Sequence, residues 1–401
     1  MTDNAYTKQP NDATQNIGNG SYSTADPYVK KVWDGRYTGI RMCNELLENI
    51  DRVPDLDPEL KKRYIGEAKV LRAYNYYELY TKFGDVPYTT KVLSIKESMS
   101  IARTAKATVI ANVLADLDEV INGNYLPTSY DADNKGRITR WAAMAIKAKI
   151  YLFEGNWTQV KNITSTIMTE GGFKLFESYA GLFEIANEYN SEVILDAQYR
   201  PTSREHQMMY VFLPPTLGGY SQLSPLQELV DSYIMLDGKT IKETGTSFDE
   251  SHPYANRDPR LKATVMYTGN SYTLADGTEV VINCEKGEGK DGYGVGSDCS
   301  ATGYYIKKYW DNTYRATLYS GLNPILIRYA DILLMNAEAL AELGELDKTA
   351  WDATIKPIRD RAGFTLASAL EFPEGASKDK LIEIVRNERR SELALEGHRH
   401  K

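Results

Sequence analysis

Hydrophobic positions in the first part of the chain recur at three- and four-residue steps, the period of a helix that buries one face. From Trp33 onward Tyr37, Ile40, Arg41, Asn44, Leu47 and Ile50 follow that spacing and predict a helix closed by Pro54. The next helix carries its own punctuation: Asp57 as N-cap, Pro58 at the first helical position, Glu59 against the dipole, and Gly84 as the stop. Its apolar stripe reads Leu60, Tyr64, Ala68, Leu71, Asn75 and Leu79. Two further helices are predicted, from Thr104 to Ile121 and from Arg140 to Phe153, the second ending at Glu154-Gly-Asn-Trp157. It has small alanines on one face and a Tyr/Leu/Phe ridge on the other, which suits close antiparallel pairing. Between about Gly172 and Asn323 the texture changes to short β-like runs, Glu192 to Gln198 and Thr264 to Tyr267, divided by Pro, Gly and Asp turns. Helical periodicity returns from Leu326 to Leu343 and again in the last segment.

This texture divides the chain into a polar, aperiodic lead-in (1–30) expected to be extended or disordered, helix pairs (31–171), an irregular insert (172–323) and C-terminal helices (324–401). All are expected to share a single compact domain. An irregular insert of that length is usually functional or disordered, and its aromatic content favours function.

Composition narrows the class. The 401 residues are 42% hydrophobic and 25% charged, enough for a large core, and no run approaches the roughly 18 apolar residues of a membrane helix. A net charge of -8 argues against nucleic acid, whose affinity comes from clustered cations and counterion release. Tyrosine is the outlier, with 29 Tyr against 9 Phe. Those rings offer an apolar face and a polar tip, as recognition of an amphipathic ligand such as sugar requires.

Three segments in the last third, in order, carry a family resemblance: the helix from Leu326 to Leu343, Pro357-Ile-Arg-Asp-Arg-Ala-Gly363, and Glu388-Arg-Arg-Ser-Glu392-Leu-Ala-Leu-Glu396-Gly-His-Arg399. They resemble the SusD/RagB signature of an Arg-Tyr-Ala-Asp helix ending in Ala-Glu-Ala, an Arg-x-Arg-Ala-Gly turn, and a Glu-Arg-x-x-Glu-Leu-x-x-Glu-Gly-x-Arg helix. Gly66-Glu-Ala-Lys-Val-Leu-Arg-Ala, Phe83-Gly-Asp-Val-Pro87, the Trp-Ala-Ala-x-Ala run at Trp141, Gly155-Asn-Trp157, Leu229-Val-Asp-Ser-Tyr233 with Asp237-Gly after it, and Asn256-Arg-Asp-Pro-Arg-Leu261 extend the resemblance over about residues 33–400. It implies a mainly α fold, a TPR-like helical-repeat scaffold carrying a loop-rich insert with short strands, although no strict repeat period is legible. It further implies a non-catalytic lipoprotein on the outer surface of the outer membrane. There it would bind oligosaccharide or polysaccharide and partner a SusC-like TonB-dependent transporter. The family begins with a lipoprotein signal and lipidated Cys and runs past the Glu-Gly-x-Arg helix. Against that pattern the sequence reads as truncated at both ends, with its membrane attachment confined to a missing lipid anchor.

Candidate chemistry follows from side-chain type and spacing. Glu388, Glu392 and Glu396 lie four apart on one helix face, a spacing that could suggest the paired carboxylates of a glycoside hydrolase. Arg386, Arg389, Arg390 and Arg399 nearby favour the ionised form, so the stripe reads as structural ion pairs. His206, His252, His398 and His400 lack metal-ligand spacing, so neither a metal nor a cofactor is expected. Gly287-Glu-Gly-Lys-Asp-Gly-Tyr-Gly-Val-Gly296 is no phosphate loop and reads as a surface loop with at most a weak structural calcium site. Cys284 and Cys299 flank that loop, and a disulfide between them would stabilise by roughly 3 kcal/mol. Cys43 reads as simply buried.

Loop aromatics with polar neighbours are the candidate glycan-binding residues: Trp310, Asp311, Asn312 and Tyr314, together with Tyr88, Tyr199, Arg200, Tyr210, Tyr220 and Tyr293. Pyranose C–H faces pack on rings while Asn, Asp and Arg take the hydroxyls. Trp33, Trp141, Trp157 and Trp351 sit on helices or helix turns and read as core. The alternatives are a TPR-type adaptor that binds peptide in its groove and, less well supported, a glycoside hydrolase.

Overall fold

The computed structural model describes residues 2–8, 14–314 and 317–398. The fold is mainly α with a few short strands, a TPR-like helical architecture. Contacts group the chain into two compact units, residues 23–172 and residues 1–22 with 173–400, in place of the single domain expected. The insert and the C-terminal helices share one unit because the buried charges described below join them.

In the 23–172 unit the helices Pro27–Asn49, Pro58–Phe83, Lys106–Asn122, Arg140–Phe153 and Trp157–Glu170 each pack on the next in sequence. Neighbour-on-neighbour packing of this kind is what makes helical repeats stack. Asp57 caps its helix by accepting the Leu60 N–H at 2.8 Å. The first helix begins already at Pro27, ahead of Trp33, because Pro fits the opening turn where its missing N–H is not needed. The Pro58–Phe83 stripe differs from the expected one. Leu71 is 45% exposed, whereas Val70, Ala73, Tyr76, Tyr77 and Tyr80 are buried. This helix is central, with packing partners on several sides, so no single stripe describes it. Gly66 is required by close approach, since a Cβ there would lie 2.9 Å from Tyr125 Cβ. Arg72 ties three helices by pairing with Asp116 at 2.7 Å and Asn44 at 2.9 Å. Cys43 is buried. Trp141 and Trp351 are core, but Trp33 and Trp157 are only half-buried, with Trp33 lining a cavity of about 300 Å³ beside Phe83 and Arg103.

In the other unit the described part of the lead-in is ordered. Strand Ala5–Thr7 pairs antiparallel with Leu223–Pro225, and Ala5 and Thr7 are buried. Alternation over three residues is too short to read as a strand from sequence. Three more two-stranded ladders pair Val193–Asp196 with Ile325–Arg328, Val265–Met266 with Tyr305–Ile306, and Ser271–Thr273 with Glu279–Val281. The run predicted as helix from Leu326 is therefore strand to Arg328 and helix over Tyr329–Leu343. Nearly every side chain there is buried, and a fully buried run has no period to tell the two apart. The Arg-Asp-Arg-Ala-Gly segment expected as a turn forms the end of helix Lys348–Ala362, which Gly363 stops in the left-handed conformation. The last helix, Lys378–Glu392, ends before Glu396. Arg399 and His400 lie outside the described residues.

Beneath these elements lies a buried ion network. Glu392 receives Arg328 at 2.5 Å, Arg260 at 2.9 Å and Arg361. Glu396 receives Arg328 at 2.8 Å and Lys308 at 2.6 Å. Glu388 receives Arg260 at 2.7 Å and Arg359 at 2.8 Å. Glu192 receives Arg328 at 2.7 Å and Arg361 at 3.0 Å. The expected ion pairing of the Glu stripe holds, but its partners differ. Arg386 and Arg389 turn instead to Glu338, Glu342 and Asp331, and Arg390 to Asp3. Helix neighbours one or two residues apart do not share a face, so the charges must come from elsewhere in the chain.

Removing one member of a buried network strands the others, at a cost of about 3–5 kcal/mol. Glu392→Ala should therefore lower the urea-derived unfolding free energy by that amount, and a loss below about 1 kcal/mol would show the network to be dispensable. The network also sets acid stability. Burial alone would raise the Glu396 carboxyl, but Arg328 and Lys308 outweigh it and hold the group at about 2, against an ordinary 4.5. Glu388 and Glu392 are likewise held low by Arg260, Arg359, Arg361 and Arg328 against burial. A depressed carboxyl pKa gives stability that is fully present above the unfolded value and lost as pH falls through the folded one. Unfolding should set in as pH drops from 4.5 toward 2, with a shallower pH slope in Glu396→Gln, as read by circular dichroism.

Candidate functional site

The candidate surface grows out of this network. After strand Tyr305–Ile306, Lys308 is buried and donates to Tyr179 Oη at 2.9 Å, Ala394 O at 3.0 Å and Glu396 at 2.6 Å. Burial depresses Lys308 to about 8, against the pull of Glu396. Tyr309, at φ +63°, accepts the Ile325 N–H at 3.2 Å. With Lys308 and Tyr309 fixed, the chain turns outward and Trp310 reaches the surface half-buried.

Trp310, Tyr314 and Tyr210 pack on one apolar cluster that includes Met209, Leu213, Met266, Tyr272 and Tyr305. Trp310 lies 5.1 Å from the Tyr272 ring and 5.2 Å from Tyr314, and its Nε1 donates to Thr273 O at 2.8 Å. The Tyr314 hydroxyl donates to Leu217 O at 2.9 Å. Tyr220 stacks on Tyr210 at 4.2 Å and 25°, held in register by its amide bonding Tyr210 O. At 37% exposure, Tyr220 leaves ring surface open to solvent. Asn312 is exposed next to Trp310.

The other expected residues divide. Asp311 is buried and serves as an internal staple, accepting the Thr313 N–H at 2.9 Å and the Ser320 hydroxyl at 2.5 Å, so it does not face a ligand. An Asp two residues before an amide readily closes such a turn. Tyr199 is half-buried, edge-on to His206 at 4.7 Å, and Arg200 is exposed beside it. The isolated His206–Ser320 bridge fastens this segment to the one that also anchors Asp311. Tyr293 is exposed on the glycine-rich loop. Tyr88 belongs to the 23–172 unit, where its ring packs 4.6 Å from Tyr76 and burial pushes its hydroxyl up to about 12. It is part of that unit's own core edge.

Among the described residues of the larger unit's insert, the exposed rings Tyr189 and Tyr319 escaped the sequence reading, as did Tyr22 in the lead-in. Tyr189 sits at φ +59° with its hydroxyl donating to Gln198 at 3.0 Å, and Tyr319 follows Leu318 at φ +61°. Backbone strain of this kind gathers at ligand sites, but no sequence pattern announces it for a tyrosine. Burial raises the Glu188 and Asp196 carboxyls. Both are engaged in holding Asn323, Glu188 by its N–H at 2.7 Å and Asp196 by its side chain at 3.0 Å. Among the described residues no three His, Cys, Asp or Glu side chains gather into a metal-binding group.

Cys284 and Cys299, which the sequence left as a possible disulfide, are both buried and unbridged. Each sulfur is engaged separately: Cys284 packs in the apolar cluster, where burial pushes its thiol up to about 12, and Cys299 Sγ donates to Lys290 O at 3.3 Å. Thiol titration should therefore find all three cysteines unreactive in the native protein and all three free after unfolding without reductant. Only one free thiol after unfolding would restore the disulfide.

Against this geometry, residues 181–401 match the family model described as SusD family, and residues 1–152 match one described as starch-binding associating with outer membrane. A SusD-like protein of Formosa agariphila is 27% identical over 98% of this chain and 74% of its own length. Among solved structures, a SusD-like carbohydrate-binding protein from Bacteroides fragilis is 28% identical with a TM-score of 0.88, covering 99% of this chain and 77% of its own. A laminarin-binding SusD-like protein is 25% identical with a TM-score of 0.75, covering 99% of this chain and 82% of its own.

Proposed function

The chain belongs to the SusD family, and from that membership together with its loop-borne aromatic surface we propose that it is a non-catalytic glycan-binding protein. It takes oligosaccharide or polysaccharide at the outer face of the outer membrane, held there by a lipid anchor, and delivers it to a SusC-like TonB-dependent transporter. The observation that carries this reading is the stacked Tyr210–Tyr220 pair, packed on the same cluster as Trp310 and Tyr314, with Tyr220 open to solvent. Rings fixed in this way offer flat apolar faces at little entropic cost, as a sugar C–H face requires, while the exposed Asn312 supplies hydroxyl contacts. The glycan-binding relatives named above support the ligand class. The description of the N-terminal family model supports the location.

Binding without cleavage is favoured by the electrostatics. A glycosidase needs one carboxyl held protonated near neutral pH. Glu388, Glu392 and Glu396 are instead driven to the ionised state by the arginines around them, and Glu188 and Asp196 are tied to the Asn323 loop.

Affinity electrophoresis against soluble polysaccharides tests the reading. One glycan should retard the protein without release of reducing ends. Tyr220→Ala should weaken that retention about 5- to 10-fold, the scale of one aromatic contact, while leaving the melting temperature nearly unchanged. Undiminished retention in Tyr220→Ala would remove the ring pair from the site, and released reducing ends would make the protein an enzyme.

A further inference from the structure

The segment from Tyr199 to His206 carries two cations in an unusual arrangement. Arg200 and Arg204 face each other across an antiparallel bridge, with Arg200 N–H donating to Arg204 O at 2.8 Å and Arg204 N–H donating to Arg200 O at 3.0 Å. Residues that exchange both backbone bonds project their side chains from the same face of the ladder, about 5.5 Å apart at Cα. Like charges placed so oppose folding, and a protein usually neutralises them. Here nothing does. Among the described residues neither guanidinium has a carboxylate within ion-pair distance or a side-chain hydrogen bond. The turn's own carboxylate, Glu205, accepts the Thr202 N–H at 2.8 Å. By contrast Arg260, Arg328 and Arg361 are engaged by carboxylates.

The pair is also held in place. Thr202 sits at φ +67°, a conformation a β-branched residue adopts only at a cost. Gly321 lets the neighbouring segment press on the turn, because a Cβ there would fall 2.3 Å from Pro201 N. His206 exchanges backbone bonds of 2.9 Å in both directions with Ser320, and its Nε2 lies 2.7 Å from Leu322 O. Arg204 lies 5.4 Å over the Tyr199 ring, which fixes the guanidinium against an aromatic face.

Resting on the glycan reading above, we propose that Arg200 and Arg204 form an anion clamp, and that the glycan this protein takes is acidic, bearing sulfate esters or uronate carboxylates. Two guanidinium forks on one face match the oxygens of such a group, and the bound anion removes the repulsion that the free turn carries. The unneutralised pair sets this surface apart from a chain whose net charge is -8.

The probes are dextran, laminarin, dextran sulfate and polygalacturonate in affinity electrophoresis, with the Arg200→Gln/Arg204→Gln and Arg200→Lys/Arg204→Lys double variants run beside the unmodified protein. Retention by an acidic polymer should weaken about 10- to 100-fold in the Gln variant, recover in part in the Lys variant, and decline with added salt. Whether dextran sulfate or polygalacturonate is retained tells sulfate from carboxylate. Equal retention of an acidic polymer by the Gln variant, or retention by neutral polymers alone, overturns the clamp and leaves the glycan role standing. No retention by any of the four, neutral or acidic, overturns the glycan role and the clamp with it.

Discussion

Glu392 is the point on which the rest of the larger unit depends. Its carboxylate is fully buried at the end of the last helix, yet it gathers guanidinium groups from the Pro259–Thr264 helix, the strand before Tyr329 and the Lys348–Ala362 helix. No one of these charges is tolerable alone in an apolar interior, and each is satisfied only when the others arrive. Such a network adds little net stability over an apolar core. Its effect is specificity: it admits one arrangement of segments far apart in sequence and penalises the alternatives heavily.

The same network reaches the candidate site. Lys308, bound to Glu396 and to the Ala394 carbonyl, stands two residues before Trp310 and fixes where the aromatic turn leaves the core. From there the ring surface is built by short local devices: the Asp311 staple to Ser320, the Tyr314 bond to Leu217 O and the stacking of Tyr220 on Tyr210. A rigid interior thus carries a surface whose loops can change without disturbing it. That division suits the proposed glycan-binding role. The arginines that secure the interior also keep its carboxylates ionised, so the most conspicuous acidic stripe in the chain is withdrawn from acid catalysis by the contacts that make it structural.

What sequence could show here followed from local rules. Asp57, Pro58 and Gly84 marked their helix because capping and φ preference act within one turn. The Glu388, Glu392, Glu396 spacing announced ion pairing, and the SusD-like motifs pointed to the family. Wherever the deciding partner is distant, local rules were silent or wrong. The Leu326–Arg328 strand looked helical because burial on all sides erases the period, and the first residues could be read only as extended or disordered because their pairing partner is the distant Leu223–Pro225. The arginines of the network came from elsewhere in the chain, not from the adjacent positions. Asp311 and Asn312, neighbours with equal claims as ligands, were separated by which one Ser320 reaches, and Tyr189 and Tyr319 gained exposure from backbone conformations that no pattern of residues encodes. The sequence by itself determined the boundaries of the Pro58–Phe83 helix, the charge logic and the family, since each is set within a few residues or by a matching motif. Tertiary structure alone decided which charges meet, which thiols stay apart and which rings face solvent, because those outcomes depend on the burial that distant segments impose on one another.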